Sequence, residues 1–162
     1  MADELCDAAR WFAREHGRLD AGLAVHLMDV IGGEWASAAR RLARWRAQLA
    51  AHIRVEEDLL LPALPPGARW DARVYVLEHE RIALLADEYG ERFAQVLGNP
   101  PATETARRRA ALGLIDGAHA LRHVLEHHHQ REESALAVEL APQLVQRVWR
   151  AHGMAQEGGD HD

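Results

Sequence analysis

One twelve-residue pattern occurs twice and narrows the folds open to this chain. Leu49-Ala-Ala-His52-Ile-Arg-Val-Glu56-Glu57-Asp-Leu-Leu60 is answered 76 residues later by Leu125-Glu-His-His128-His-Gln-Arg-Glu132-Glu133-Ser-Ala-Leu136. Each copy reads L-x-x-H-x-x-x-E-E-x-x-L and lies in a stretch of helical periodicity. At about 100° per residue, the histidine and the first glutamate of each copy stand one turn apart on a single helix face, beside leucines. A helix that buries this side must give the carboxylate a partner of opposite charge or a metal, because an uncompensated buried charge is costly. Two such helices facing each other would share a metal pair. One copy alone would read as a solvated His/Glu face on an Arg-rich helix; the repetition shifts the balance.

Periodicity along the rest of the chain supplies the partners for these helices. Leu5, Phe12, His16, Leu19, Leu23, His26 and Val30 recur at three- and four-residue intervals, predicting a first helix over 3–31 that Gly32-Gly33 ends. A second helix is expected over 34–61, with Ala38, Leu42, Trp45, Leu49, His52, Glu56 and Leu59 on one stripe. Pro62, Pro65, Pro66 and Gly67 stop it. The third runs from about Asp71 to Leu97 through Tyr75, His79, Ile82, Ala86, Tyr89 and Phe93. The fourth, capped at Thr103, reaches about Leu140 through Leu114, Ala118, Leu121, Leu125, His128 and Glu132. A short amphipathic segment, Gln143–His152, precedes a polar, Gly-rich tail over 153–162 that is expected to be disordered. Alanine and leucine dominate the apolar residues and β-branched residues are sparse, which favours helix. The expected fold is all-α: one domain over 1–152, an up-down-up-down four-helix bundle with a short C-terminal helical segment.

Such a bundle places candidate ligands at definite heights. From the Gly32-Gly33 turn, His16 lies about 24 Å away and His52 about 28 Å, at 1.5 Å per residue. His52 and His79 are nearly equidistant from Pro65, and His79 and His128 are comparably far from the 98–103 connection. His16, His52 with Glu56, His79, and His128 with Glu132 therefore converge on a common level. His119, His123, His127 and His129 are turned away from His128 by about 100° to 180° and read as surface residues, as do His152 and His161. His26 reads as a satisfied core or bundle-end histidine.

The formal net charge of -6 and pI near 6.0 argue against nucleic-acid binding, which calls for a basic face. No apolar run approaches the length of a membrane span, and the opening Met-Ala-Asp-Glu is acidic where a secretory signal is basic. The lone Cys6 excludes an internal disulfide and fits a reducing compartment, so a soluble cytoplasmic protein is expected.

The ordered set of a lone first-helix histidine, two H-x-x-x-E elements, Leu60-Leu61-Pro62-Ala63-Leu64 and Glu78-His79-Glu80-Arg81-Ile82 resembles the hemerythrin-like family of HHE cation-binding domains. The resemblance implies a four-helix bundle holding two non-haem iron ions, bridged by carboxylates and an oxo or hydroxo group. His16, His52, His79 and His128 would be terminal nitrogen ligands, and Glu56 and Glu132 the bridges. Glu57 and Glu133 would be hydrogen-bond acceptors behind the ligands, or simply solvated. The oxygen-carrying members have two histidines four apart on the third helix. Here His79 has Tyr75 one turn before and Ala83 one turn after, leaving an open position or a Tyr75 phenolate. The fourth-helix carboxylate is also a glutamate at a spacing of four, where the carriers have an aspartate at five. These departures point away from simple reversible oxygen carriage. They leave a protein that binds or reacts with oxygen, peroxide or nitric oxide in sensing, storage or stress defence, whose enzymatic role would rest on the open iron position alone. The alternatives are a ferritin-like di-iron oxidase or repair enzyme, for which only Glu126-His-His-His129 offers the spacing, and a metal-free helical interaction protein. The apolar face of Gln143–His152 would cover either the bundle end or a second subunit in a homodimer.

Overall fold

A computed structural model describes the backbone of residues 2–159 and the side chains of 8–155. The side chains of Leu5, Cys6 and His161 lie outside the described residues. Five helices form: α1 (Ala2–Gly32), α2 (Trp35–Val55), α3 (Ala72–Gly98), α4 (Glu104–Arg131) and α5 (Pro142–Gly159). Gly33, at φ 75°, takes the left-handed conformation that ends α1. The Asp71 side chain caps α3 by accepting the Arg73 N–H at 2.8 Å, and Thr103 caps α4 through the Ala106 N–H. Among the described residues no helix is long and apolar enough to cross a membrane.

Two helices depart from the expected continuous α geometry, at equivalent points. After Val55 the chain widens into a π turn over Glu56–Leu60, with the Leu61 N–H reaching back five residues to the Glu56 carbonyl. A 3-10 turn, Leu61–Ala63, then leads to the prolines. After Arg131 the same widening occurs over Glu132–Leu136, where the Ala137 N–H meets the Glu132 carbonyl, before a last α turn at Ala137–Glu139. Both π turns begin at the first glutamate of the repeated pattern. Single π turns of this kind recur at functional sites.

Helix α1 packs on α2 and α4, and α3 packs on α4 and α2. The apolar residues fall into two clusters. One contains Leu19, Leu49, Ile82, Leu121 and Leu125; the other contains Phe12, Leu60, Tyr75, Leu136 and Trp149. Each of the first four helices crosses from one cluster to the other, and each carries polar residues at the crossing. On α1, His16 lies between Phe12 and Leu19; on α3, His79 lies between Tyr75 and Ile82. His52 and Glu56 follow Leu49 and precede Leu60, and His128 and Glu132 stand likewise between Leu125 and Leu136. The direction of crossing reverses from each helix to the next.

Helix α5 runs through Gly159, past the His152 at which the sequence reading ended it and into the stretch expected to be a disordered tail. Met154, Ala155, Gln156 and Glu157 are adequate helix formers, and they carry the helix across the glycines that dominated the compositional reading. Val145, Val148 and Trp149 of α5 are buried in the second cluster, so its apolar face covers the end of its own bundle.

Candidate metal centre

The polar layer between the two clusters is the candidate site. His16, His52, His79 and His128 are 2 to 3% exposed, and Glu56 and Glu132 are fully buried. The six fall into two groups whose ligand atoms lie within 4.8 Å of one another: His16, His52, Glu56 and Glu132, and Glu56, His79, His128 and Glu132. Each group offers two imidazole nitrogens and two carboxylates, and both carboxylates are common to the two groups. All six residues singled out in the sequence are thus brought together, and the structure adds which histidines share a group.

The inner faces of these residues are turned toward one another but only partly satisfy one another, the His16–Glu132 contact alone among the four that follow being an aligned hydrogen bond. His52 Nε2 lies 2.9 Å from Glu56 Oε1, and His79 Nε2 lies 3.2 Å from Glu56 Oε2. His128 Nε2 lies 3.1 Å from Glu132 Oε1 and His16 Nε2 lies 3.0 Å from Glu132 Oε2. Even so, both Glu56 oxygens, Glu132 Oε1, His52 Nε2 and His79 Nε2 have no aligned hydrogen-bond partner. Buried polar atoms are almost always paired, so this concentration of orphaned nitrogen and oxygen lone pairs at one point fits a bound cation. Imidazole plus carboxylate suits iron and would also accept zinc or manganese.

The outer faces of three rings are held. His16 Nδ1–H donates to Glu133 at 2.8 Å, His79 Nδ1–H to Glu57 at 2.9 Å, and His128 Nδ1–H to Glu78 at 2.9 Å. Glu78 is itself held by Arg131 at 2.7 Å. This arrangement fixes the tautomer, leaves Nε2 facing inward and raises its basicity. Glu57 and Glu133, the second glutamates of the repeated pattern, are therefore acceptors for the buried histidines His79 and His16 and not merely solvated. Glu78 has no counterpart in the pattern, and its only sequence signal is its place beside His79.

Without a cation, protons take up the charge. Burial disfavours the imidazolium form of His16, but hydrogen bonds to Glu132 and Glu133 outweigh it and raise its pKa to about 9. Burial is likewise overcome by Glu132 and Glu56 at His79, which rises to about 10, and by Glu132 and Glu78 at His128, which rises to about 9. Burial and mutual repulsion push Glu56 toward protonation, yet His52 and His79 hold it ionised, below the usual carboxylate range. Glu132 is held lower still by His128, His16 and His79, against its own burial.

Several neighbours differ from the sequence reading. His129 is buried where a surface position was expected: its ring stacks on His16 at 3.9 Å and 6°, and its Nδ1 is 3.6 Å from Asp20. A position about 100° from His128 still faces α1 in a bundle, because the buried stripe of a helix is itself at least that wide. Trp149 stacks on His52 at 4.7 Å and 16° and meets Phe12 edge-on at 5.5 Å. No local pattern in the sequence links it to the site. His152 is half-buried, and with Glu15, Arg18 and Gln48 it lines a notch of about 10 Å³ against His52, room for roughly one water. His119, His123 and His127 are exposed as expected. His26 is a satisfied core histidine: its Nδ1–H donates to the Ala38 carbonyl at 2.8 Å and its Nε2 accepts from the Tyr89 hydroxyl at 2.7 Å. Glu126 is exposed while His129 packs on His16, so the Glu126-His-His-His129 spacing assembles no site.

Tyr75, one turn before His79, is fully buried and its hydroxyl has no hydrogen-bond partner. Burial, reinforced by Glu132 and Glu139, pushes its pKa upward and keeps the phenol protonated.

No curated protein and no solved structure matches the chain. The family model described as the hemerythrin HHE cation-binding domain matches residues 7–117, about two thirds of the chain, and stops short of His128 and Glu132. The helical bundle, the buried His/Glu clusters and this match agree, and the chain belongs to the hemerythrin HHE cation-binding domain family.

Proposed function

We propose that this chain is a non-haem di-iron protein that binds or reacts with a small molecule such as oxygen, peroxide or nitric oxide, in sensing, storage or stress defence. His16 and His52 would hold one iron and His79 and His128 the other, with Glu56 and Glu132 bridging both. The observation that carries this reading is the pair of four-donor groups that share both carboxylates. The irons, when bound, would supply reversible ligand binding or redox chemistry, and an oxo or hydroxo group would complete the bridge.

The chain's own residues set the conditions for that chemistry. Glu133, Glu57 and Glu78 hold three imidazoles in the tautomer that presents Nε2. Trp149 and Phe12 close the layer on the α5 side, leaving the small notch beside His52. On the His79 side Tyr75 stands one turn before the histidine, and its buried, protonated hydroxyl, without a hydrogen-bond partner, would be a donor for a small ligand.

The test is an anaerobic iron titration of the purified protein, followed by air exposure while the near-ultraviolet and visible spectrum is recorded. Two irons per chain and oxo-bridge charge-transfer bands are expected. A persistent band that bleaches on degassing would point to oxygen carriage. Well under two irons per chain, with no change in His52→Ala, would sink the di-iron reading.

A further inference from the structure

A second set of histidines lies on the opposite side of α4 from the buried centre. His119, His123 and His127 follow one another at i, i+4 and i+8, and all three are exposed. Among the described residues none of these rings is held by a hydrogen bond or an ion pair, and their ring contacts are with one another. The centroids of His123 and His127 are 4.4 Å apart at 81°, whereas His119 and His123 lie 6.4 Å apart and nearly parallel, at 15°.

We propose that His123 and His127 form a solvent-facing chelate for a borderline divalent transition-metal ion such as zinc, nickel or copper, separate from the buried centre. Two imidazoles one helical turn apart on one face are a recurrent zinc-binding element, and His123-Val-Leu-Glu126-His127 has the spacing H-x-x-E-H. With zinc–nitrogen bonds of about 2.0–2.1 Å, two tetrahedral donors must come within roughly 3.4 Å of each other. The angled His123 and His127 rings reach this by small side-chain rotations. The parallel His119 ring must swing further, so it is the lesser partner.

His119, His123, Glu126, Asp20 and Arg122 are the polar lining of an otherwise apolar open groove of about 890 Å³ between α1 and α4, with His127 outside it. Asp20 and Glu126 attract a metal ion and Arg122 opposes it, within a chain of formal net charge -6. Only two protein donors are supplied, so water completes the coordination shell. The site is thus a docking point for an exchangeable ion, in contrast to the closed, four-donor groups inside the bundle.

Retention of the full-length protein on immobilised zinc or nickel tests this directly, because an ion fixed to a resin reaches surface donors and never the buried layer. His123→Ala and His127→Ala should each weaken retention about tenfold or more, since losing one donor removes the chelate advantage. His119→Ala should weaken it less. In solution, a zinc titration should show one weak site per chain in wild type that His127→Ala lacks, with the tighter buried sites intact. Far-ultraviolet circular dichroism checks that these exposed substitutions keep the fold. Unchanged retention in both variants, or a loss confined to His119→Ala, would overturn the proposal. Neither result bears on the buried centre.

Discussion

Glu57→Ala tests whether the second glutamate of each repeated element belongs to the metal centre. Glu57 accepts the His79 Nδ1–H at 2.9 Å and Glu133 accepts the His16 Nδ1–H at 2.8 Å, so the two positions do the same work on opposite sides of the layer. Both histidines are only 2% exposed, whereas the two carboxylates are about a third exposed, so water can reach the vacated position but offers neither their charge nor their fixed geometry. Alanine therefore leaves the Nδ1–H at best a mobile, uncharged water, frees the ring to turn and makes Nε2 a weaker donor to a metal. Loss of such an outer partner costs about 10- to 100-fold in metal affinity, or roughly 1.4 to 2.7 kcal/mol. Glutamine keeps an acceptor oxygen without the charge, so Glu57→Gln should fall between wild type and alanine. Glu133→Ala should match Glu57→Ala, while Glu88→Ala at an exposed position should change nothing. The assay is competition against a chelator of known affinity, with iron or zinc as the reporter metal. If Glu57→Ala and Glu133→Ala both stay within twofold of wild type, the two carboxylates are solvated bystanders and the account of ring orientation is wrong.

Three further outcomes follow from the same geometry. In the metal-free protein, His16 and His128 titrate near 9 and His79 near 10, all above the ordinary 6.5. Their stabilisation is complete below pH 6.5 and is lost as pH rises through 9 to 10. Bound metal replaces those protons, so its gain in melting temperature should be larger near pH 9.5 than near pH 7; equal gains would contradict this. Burial lowers the pKa of His26, with the Ala38 carbonyl acting against it. Its neutral form contributes stability above pH 6.5 that declines as pH falls through the depressed pKa, and its ring resonances should remain those of a neutral imidazole at pH 6.5. A midpoint at or above 6.5 would remove it from the satisfied core. Trp149→Ala deletes a fully buried ring and should lower unfolding stability by about 3–5 kcal/mol; a loss below about 1 kcal/mol in urea titration would mean that α5 does not dock on the bundle in solution.

The helical fold and the meeting of the six buried His and Glu residues were legible because both are written as helical periodicity. His52 and Glu56 repeat as His128 and Glu132, and the proline and glycine turns set the heights at which His16 and His79 must join them. What escaped the sequence reading depends on tertiary contact. Whether Trp149 reaches His52 is decided by where α5 lies on α1 and on the π turn after α2, which no periodicity specifies. His129 escaped because its angle was measured against His128 alone, without counting the neighbouring helix that covers a bundle's flanks. The π turns escaped because their residues, Glu-Glu-Asp-Leu-Leu and Glu-Glu-Ser-Ala-Leu, are ordinary helix formers. One added residue at each place changes which side chains face inward without a signature in composition.

The choice of partners for Glu56 and Glu132 separates a site for cations from a merely polar core. Two ionised carboxylates buried in one layer need compensating charge wherever they occur. The chain has 19 cationic residues, every one an arginine, yet the described ion pairs of Glu56 and Glu132 are all with histidines. An arginine would hold its charge permanently and fill the layer with its own donors. An imidazole carries a proton in the absence of metal and can release it when a metal arrives. A layer built only for structural specificity gains nothing from that exchange, because arginine–carboxylate pairs would lock the helices more firmly. Histidine at all four positions, with three rings anchored from behind by carboxylates that never enter the layer, makes the buried charge replaceable. That property is what a bound metal pair requires.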